Sequence, residues 1–390
     1  MKKINFSTWP NYSGYEANLV KQVIQSNKVN YWSGKTCKIF EKKFSKFHGL
    51  KYAVSVMNGS IALEVGLRSI GIKKDDEVIV TSKSFVISAS ALLNLGAKPV
   101  FSDINYESGN IDPNHIKKII TKKTKAIVVV HLSGWPCEMD KILKLCKKFR
   151  VKVVEDCSQA HGAKFNNKYV GSFGDLSIWS FCNDKIMTTG GEGGMIATNN
   201  RQYFKKANSY KDHGKNFQKI QNNKKKIGFQ YVHDDLGTNY RMTAMQAALG
   251  IYQLEKLDEW VLKRLSSYEY LISKLKGTKG IILPKIPKNI KHATYRMYIY
   301  LDFKKIKKHK NVRKIIKMIN DQGVPCSTGA CSEIYNELVF KKYFKKPFKR
   351  LANAKLSDQT SVAFFVNPFT KKKEINYMAD VIKKVFSKIT

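Results

Sequence analysis

Residues 151–198 read VKVVEDCSQAHGAKFNNKYVGSFGDLSIWSFCNDKIMTTGGEGGMIAT. The run Val151–Val154 is apolar apart from one lysine and reads as a buried strand that delivers Asp156 at its carboxyl end. A second short strand over Leu176–Phe181 delivers Ser180. Lys185 follows in a loop that leads into the glycine cluster Gly190–Gly194. A lysine amine can form a Schiff base with an aldehyde cofactor. A carboxylate can keep a pyridine nitrogen protonated, so that the ring accepts electrons. Asp156, Gln159, Ser180 and Lys185 therefore read as the cradle of such a cofactor.

The same rhythm extends upstream. Strands are predicted at Tyr52–Met57, Glu77–Ser82, Pro99–Asp103 and Ala126–Leu132, with a further short one at Met195–Thr198. Helices are predicted after Asn58-Gly59-Ser60, over Phe85–Leu95, over Ile111–Ile120 and over Glu138–Phe149. Alternation of this kind predicts an α/β fold with a mostly parallel sheet and helices on both sides. From Gln246 to about Leu275 the pattern is helical. A Pro/Gly/Lys-rich segment, Lys276–Lys291, precedes a strand over Tyr295–Phe303 and a helix over Val312–Gln322. The expected division is a large α/β domain over 1–255 and a smaller C-terminal α+β domain over 256–390. The polar stretch Gln218–Lys226 is expected to be a loop.

The chain has 390 residues, of which 43% are hydrophobic. That is ample for a core and argues against extensive disorder. No apolar run is long enough for a membrane span, and no signal peptide is evident at the start. Seven scattered cysteines without a C-x-x-C pair point away from a disulfide framework or a zinc site, so no metal is expected and a cytoplasmic location is. The net charge of +40 would by itself suggest nucleic acid or an anionic membrane. Yet only eight of the seventy basic residues are arginine, the residue favoured for base-edge and phosphate recognition, and the lysines are spread throughout. Neither specific nucleic-acid binding nor membrane insertion is expected. The field would still favour a polyanionic small substrate.

In open α/β sheets, ligands sit beyond the carboxyl ends of the strands, where each candidate falls. Asn58-Gly59-Ser60-Ile61 joins a strand to a helix and reads either as a phosphate site on free amides or as a plain helix cap. Phe85 either lies on an aromatic ring or belongs to the core. Asp156 needs a cationic partner or solvent, unless it is a turn residue. The glycine cluster lacks G-x-G-x-x-G spacing and precedes a strand, which excludes a dinucleotide fold. It suits close backbone packing beside a site.

Nearly end to end, the chain resembles the DegT/DnrJ/StrS family of pyridoxal-phosphate nucleotide-sugar aminotransferases, which have the aspartate aminotransferase fold type I. The resemblance runs through FEKKFSKFHGLKYAVSVMNGSIAL, DDEVIVTSKSFVISASALLNLGAKPVFSDI, KAIVVVHLSGWPCEMD, VVEDCSQAHGA, SFCNDKIMTTGGEGGM, SYKDHG and LGTNYRMTAMQAALGIYQLEKLDEW. It implies a seven-stranded sheet and pyridoxal 5'-phosphate as cofactor. Lys185 would be the Schiff-base lysine and proton carrier, Asp156 the partner of the pyridine nitrogen, and Gln159 a contact on the phenolic-oxygen side. Phe85 would stack on the ring. Ser180, with the backbone at Gly59, Ser60 and Ile61, would hold the phosphate. Asn239 would reach the phosphate in the neighbouring subunit, which implies a homodimer with shared active sites. Arg241 would lie near anionic groups of the substrate, and His161 would be a packed, hydrogen-bonded histidine near the site.

Thr81 stands where relatives often have Pro, and Ser60 where they usually have Thr. One branch of the family replaces the lysine with histidine and dehydrates sugars; this chain keeps Lys185, which favours transamination over a dehydratase or lyase. A non-catalytic regulator on the same scaffold would be expected to lose Lys185 or Asp156. The implied reaction moves an amino group from L-glutamate to a nucleotide-diphosphate keto-deoxysugar, at C4 in preference to C3. Its product would serve surface polysaccharide, lipopolysaccharide or glycoconjugate synthesis. The segment GVPCSTGACSEIYNE resembles a polysaccharide-biosynthesis branch.

Overall fold

A computed structural model describes residues 3–222, 227–344 and 348–390. Seven strands form the main sheet: β1 (Tyr52–Val56), β2 (Glu77–Thr81), β3 (Lys98–Ser102), β4 (Thr124–Val130), β5 (Lys152–Asp156), β6 (Leu176–Ser180) and β7 (Gly194–Thr198). Their order is β1-β7-β6-β5-β4-β2-β3. Strands β2 to β6 pair in parallel, and only β7 runs against its neighbours, β1 and β6.

Alternation along β4 explains the layers. Ala126, Val128 and Val130 enter one apolar cluster with Val78, Val80 and Val154. Ile127 and Val129 enter another with Ile79 and Val153 on the opposite face. Each strand thus buries both faces, so it carries an uncharged run rather than an apolar-polar alternation. Helices Gly59–Ser69 and Ile87–Asn94 border the first cluster, and helix Met139–Phe149 the second.

The long helix Ala244–Leu275 opens on a capping box made by Thr243 and Gln246 and runs unbroken through residue 255. Its first half buries Ala247, Leu254 and Leu257 with Phe40 and Phe44 of the N-terminal helix Thr36–Phe47. Its last turns place Tyr268, Leu271 and Leu275 in a separate core. That core holds strands Arg296–Leu301 and Ser361–Phe365, which pair antiparallel, and helices Val312–Asp321 and Lys372–Ile389. The two halves are tied across the chain. Ile334, Tyr335 and Phe340 return to the main sheet's core, and Ile4 and Phe6 pack against the C-terminal one.

Two expectations need correction. Phe217–Asn222 is helical rather than loop, because Asn216 accepts the amides of Gln218 (3.0 Å) and Lys219 (3.1 Å) and starts a turn. Residues 223–226 of that stretch lie outside the described residues. The helix expected from Phe85 begins at Ile87, leaving Phe85 on the preceding loop.

Candidate active site

The carboxyl ends of β1, β4, β5 and β6 open into one cavity of about 670 Å³, lined by Gly59, Ser60, Phe85, Asp156, Gln159, Ser180 and Lys185 among others. Drug-sized ligand pockets span ~300–1,000 Å³. Asp156 ends β5, where it is only 4% exposed. Its position is fixed from beneath by its neighbour. Glu155 points to the other face and accepts the amides of Gly171 (2.7 Å), Phe173 (2.8 Å) and Gly174 (2.7 Å), with His131 Nε2 at 3.0 Å. Glu155, His131 and Cys157 place their ligand-type atoms within 4.8 Å of one another. These groups are already engaged, since the amide of Cys137 donates to His131 Nδ1 at 3.0 Å, and they act as a buried brace for the strand end.

Asp156 itself accepts the amide of Ser158 at 3.0 Å and the hydroxyl of Ser88 at 3.4 Å. No lysine, arginine or histidine lies within ion-pair distance of it among the described residues. A buried carboxylate in that condition calls for a cation from the ligand side. Gln159 accepts the amide of Ser133 at 2.8 Å, which orients its carboxamide at the cavity wall. Ser133 makes this bond from the left-handed region, with φ 56°.

At the start of helix Gly59–Ser69, Asn58 Oδ1 caps the amide of Ile61 at 2.9 Å. The amides of Gly59 and Ser60 have no partner among the described residues. A Cβ on Gly59 would lie 2.4 Å from Cβ of Ser180 and 2.9 Å from its hydroxyl oxygen. The glycine therefore lets a helix N-terminus and a serine hydroxyl close on one point, an anion cradle of phosphate character. The helix-cap reading of this tetrapeptide holds at Ile61, whose amide is taken by Asn58 and is not free for the phosphate expected there, while Gly59 and Ser60 line the cavity.

Lys185 reaches into the same space. Its Nζ donates to Tyr295 Oη at 3.3 Å and lies 3.4 Å from Asp184 Oδ1. Tyr295 donates a short hydrogen bond to Asp184, and Arg296 donates to Asp184 Oδ2 at 3.1 Å and to Tyr295 Oη at 3.3 Å. Burial works against the Lys185 ammonium, but Tyr295 and Asp184 outweigh it and hold its pKa above the ordinary lysine value. Burial likewise opposes the charge on Asp184, and Lys185, Tyr295 and Arg296 overcome that and hold its carboxyl below the ordinary range. Asp184, Tyr295 and Arg296 were not singled out from sequence. The adjacency of Asp184 to Lys185 was a usable signal, whereas nothing in ATYRMY marked Tyr295.

Phe85 lines the cavity with 66% of its surface exposed, so it is not a core residue. Asn239 is exposed on a bridge to Asp212, and Arg241 is ion-paired with Asp212. Neither lines the cavity. His161 is fully buried and packs against Phe181. Burial, reinforced by His48 and Lys185, pushes its pKa well down, so the ring packs as a neutral group.

An unpaired buried carboxylate, an anion cradle and a cavity-facing amine are the complement that pyridoxal phosphate requires. Comparison with known proteins agrees. Over 255 residues the chain is 38% identical to GDP-perosamine synthase of Escherichia coli O157:H7, covering 65% of this chain and 67% of that one. Its fold superposes on an aminotransferase from Psychrobacter cryohalolentis with a TM-score of 0.96 at 42% identity, covering 99% of this chain and 100% of that one. The E. coli GDP-4-keto-6-deoxy-D-mannose-3-dehydratase with bound hydrated PLP gives a TM-score of 0.87 at 25% identity, over 98% and 100% of the two chains. The profile of the DegT/DnrJ/EryC1/StrS aminotransferase family matches residues 11–385. From Asp156 to Lys185 the site has the chemistry that this match demands, and the chain belongs to the DegT/DnrJ/EryC1/StrS family of pyridoxal-phosphate-dependent aminotransferases.

Proposed function

We propose that the protein transfers an amino group from L-glutamate to a nucleotide-linked keto-deoxysugar, at C4 in preference to C3, for surface polysaccharide or glycoconjugate synthesis. The observation that carries this reading is Lys185 facing the same cavity as the cation-free Asp156. Pyridoxal phosphate supplies an aldehyde that takes up amino groups and a ring that accepts electrons.

The chain's own residues do the rest. Gly59, Ser60 and Ser180 would hold the phosphate, Gln159 would contact the phenolic side, and Phe85 would stack on the ring. Asp156 would keep a proton on the pyridine nitrogen. Lys185, once free, would take a proton from the donor carbon and hand it, within the same half, to the carbon that keeps the amino group, acting as general base and then acid in each half. The excess of basic residues draws a nucleotide diphosphate toward the cavity. Residues to about 255 form the cofactor-binding unit and the remainder the smaller unit, which brings Tyr295 and Arg296 to the cavity. Asn239 and Arg241, being outside the cavity of their own subunit, act across a homodimer: Asn239 toward the partner's cofactor phosphate, Arg241 toward its anionic substrate. The scattered cysteines, all free in the structure, support the cytoplasm as the working location.

The visible absorption spectrum of purified protein with pyridoxal phosphate, before and after L-glutamate, tests the donor half. Conversion of the lysine-bound form to the amino form of the cofactor, reversed by a nucleotide keto-sugar, is the expected result. NMR of the product then distinguishes C4 from C3. A spectrum that glutamate leaves unchanged would refute the donor, and elimination of a sugar hydroxyl would favour the dehydratase.

A further inference from the structure

We infer that Tyr295, oriented by Asp184 and Arg296, is the docking site for the free ε-ammonium that Lys185 becomes within each half of the reaction. This rests on the aminotransfer reading and adds to it a place that holds the lysine between taking its proton and handing it on.

The geometry assigns each proton. Tyr295 has one hydroxyl hydrogen, and it is committed to Asp184. Its oxygen is left as an acceptor, which Lys185 Nζ approaches at 3.3 Å and Arg296 at 3.3 Å. Asp184 Oδ1 lies 3.4 Å from the same Nζ while its Oδ2 takes Tyr295 and Arg296. Lys185 therefore meets two acceptors and no donor, an arrangement that favours the ammonium over the amine. Arg296 lies over the ring of Tyr295, 4.8 Å from its centroid, and over that of Phe365 at 3.9 Å, which holds the guanidinium where Asp184 needs it.

The other groups facing Lys185 leave this assignment intact. Arg264, buried in the long helix, adds a second positive field on Tyr295 and Asp184. His161 is neutral, and burial keeps the Cys182 thiol protonated. Asp156 and Glu192 line the same cavity, but neither lies within ion-pair distance of Nζ. The nearest proton acceptors are thus Tyr295 and Asp184. During turnover, Lys185 takes one proton from the donor carbon as an amine, is held against Tyr295 as an ammonium, and gives that proton within the same half to the carbon that keeps the amino group, so it is an amine again when the second half begins. Tyr295 itself gains and loses none.

Competitive acetylation of the cofactor-free protein across pH, read by mass spectrometry on the Lys185 peptide, tests this without turnover. Tyr295→Phe removes the acceptor oxygen together with the hydroxyl that orients Asp184, and should lower the Lys185 titration midpoint by about one unit. Asp184→Asn should lower it as well, and decides the matter if the first variant fails to fold. In the loaded enzyme, Tyr295→Phe should lower kcat for the glutamate half roughly tenfold with KM within about twofold. Midpoints unchanged in both variants would overturn the docking role while leaving transamination standing. A wild-type protein that moves no amino group would instead refute the function, with the midpoints still judging the contact.

Discussion

The indole Nε1 of Trp9 donates a 2.7 Å hydrogen bond to the backbone carbonyl of Lys185, across 176 positions of sequence. The N-terminal arm thereby holds the main chain at Lys185. Trp9 is itself fixed by an edge contact with Trp260, centroids 5.1 Å apart, and by Arg264 5.1 Å from its own ring centroid.

Trp9→Phe keeps the aromatic packing and deletes the donor. A neutral hydrogen bond to a partly buried carbonyl is worth about 1 kcal/mol, so a modest drop in Tm is expected. The informative change is in kcat, which should fall roughly three- to tenfold with little effect on KM, because the lysine is less well placed. A variant that melts lower but turns over like wild type would show that Trp9 is structural only.

Gly59→Ala tests the phosphate cradle. The new methyl would meet Ser180 at 2.4 Å, and both groups belong to backbone-anchored segments that cannot swing away. Cofactor affinity should fall at least about tenfold, beyond what the loss of fold stability explains. The double variant Gly59→Ala with Ser180→Gly should regain part of that affinity by removing the clash. Titration of the cofactor-free protein with pyridoxal phosphate measures both.

Asp156→Asn should leave the protein folded and able to bind the cofactor, since Ser158 and Ser88 can still bond to the carboxamide oxygen. It removes the negative charge proposed to keep the ring nitrogen protonated. The glutamate half-reaction should slow by roughly a hundredfold or more, read by stopped-flow absorbance. A loss under about fivefold would mean that the electron sink does not depend on this carboxylate.

Much of the fold was legible because strands such as β4 bury both faces, which forces apolar runs such as Ala126–Val130 and leaves polar residues at the strand ends. Asp156 and Ser180 stood out for that reason, and Lys185 by its place after them. Tyr295 was invisible because it is part of the site only through the packing of the second half of the chain, 111 positions from Asp184. The close approach of Gly59 to Ser180 is likewise a tertiary fact, and an unremarkable NGS helix start does not announce it. Phe217–Asn222 was misread by weighting the polar stretch over the Asn216 cap, a local signal that was present.

Lys83, at the loop after β2, is an amine that the proposed reaction does not use. It is fully buried, donates to Ser357 Oγ at 2.6 Å, lies over the ring of Tyr298 at 4.6 Å, and has no carboxylate within ion-pair distance among the described residues. Burial pushes its pKa from 10.5 down to about 7. Between those values the unfolded chain binds the extra proton, so this group makes stability rise with pH across that window. Below about 7 both states are protonated and the full penalty of burying the charge stands. Lys83→Met fills nearly the same volume without the charge. It should raise the stability of the cofactor-free protein at about pH 6 by roughly 1–4 kcal/mol. The gain should shrink toward about pH 10, where the native amine is neutral. Denaturant melts of both proteins at the two pH values measure it. A Met variant less stable than wild type at the lower pH would mean that the Ser357 hydrogen bond and the Tyr298 ring together outweigh the cost of burying the charge.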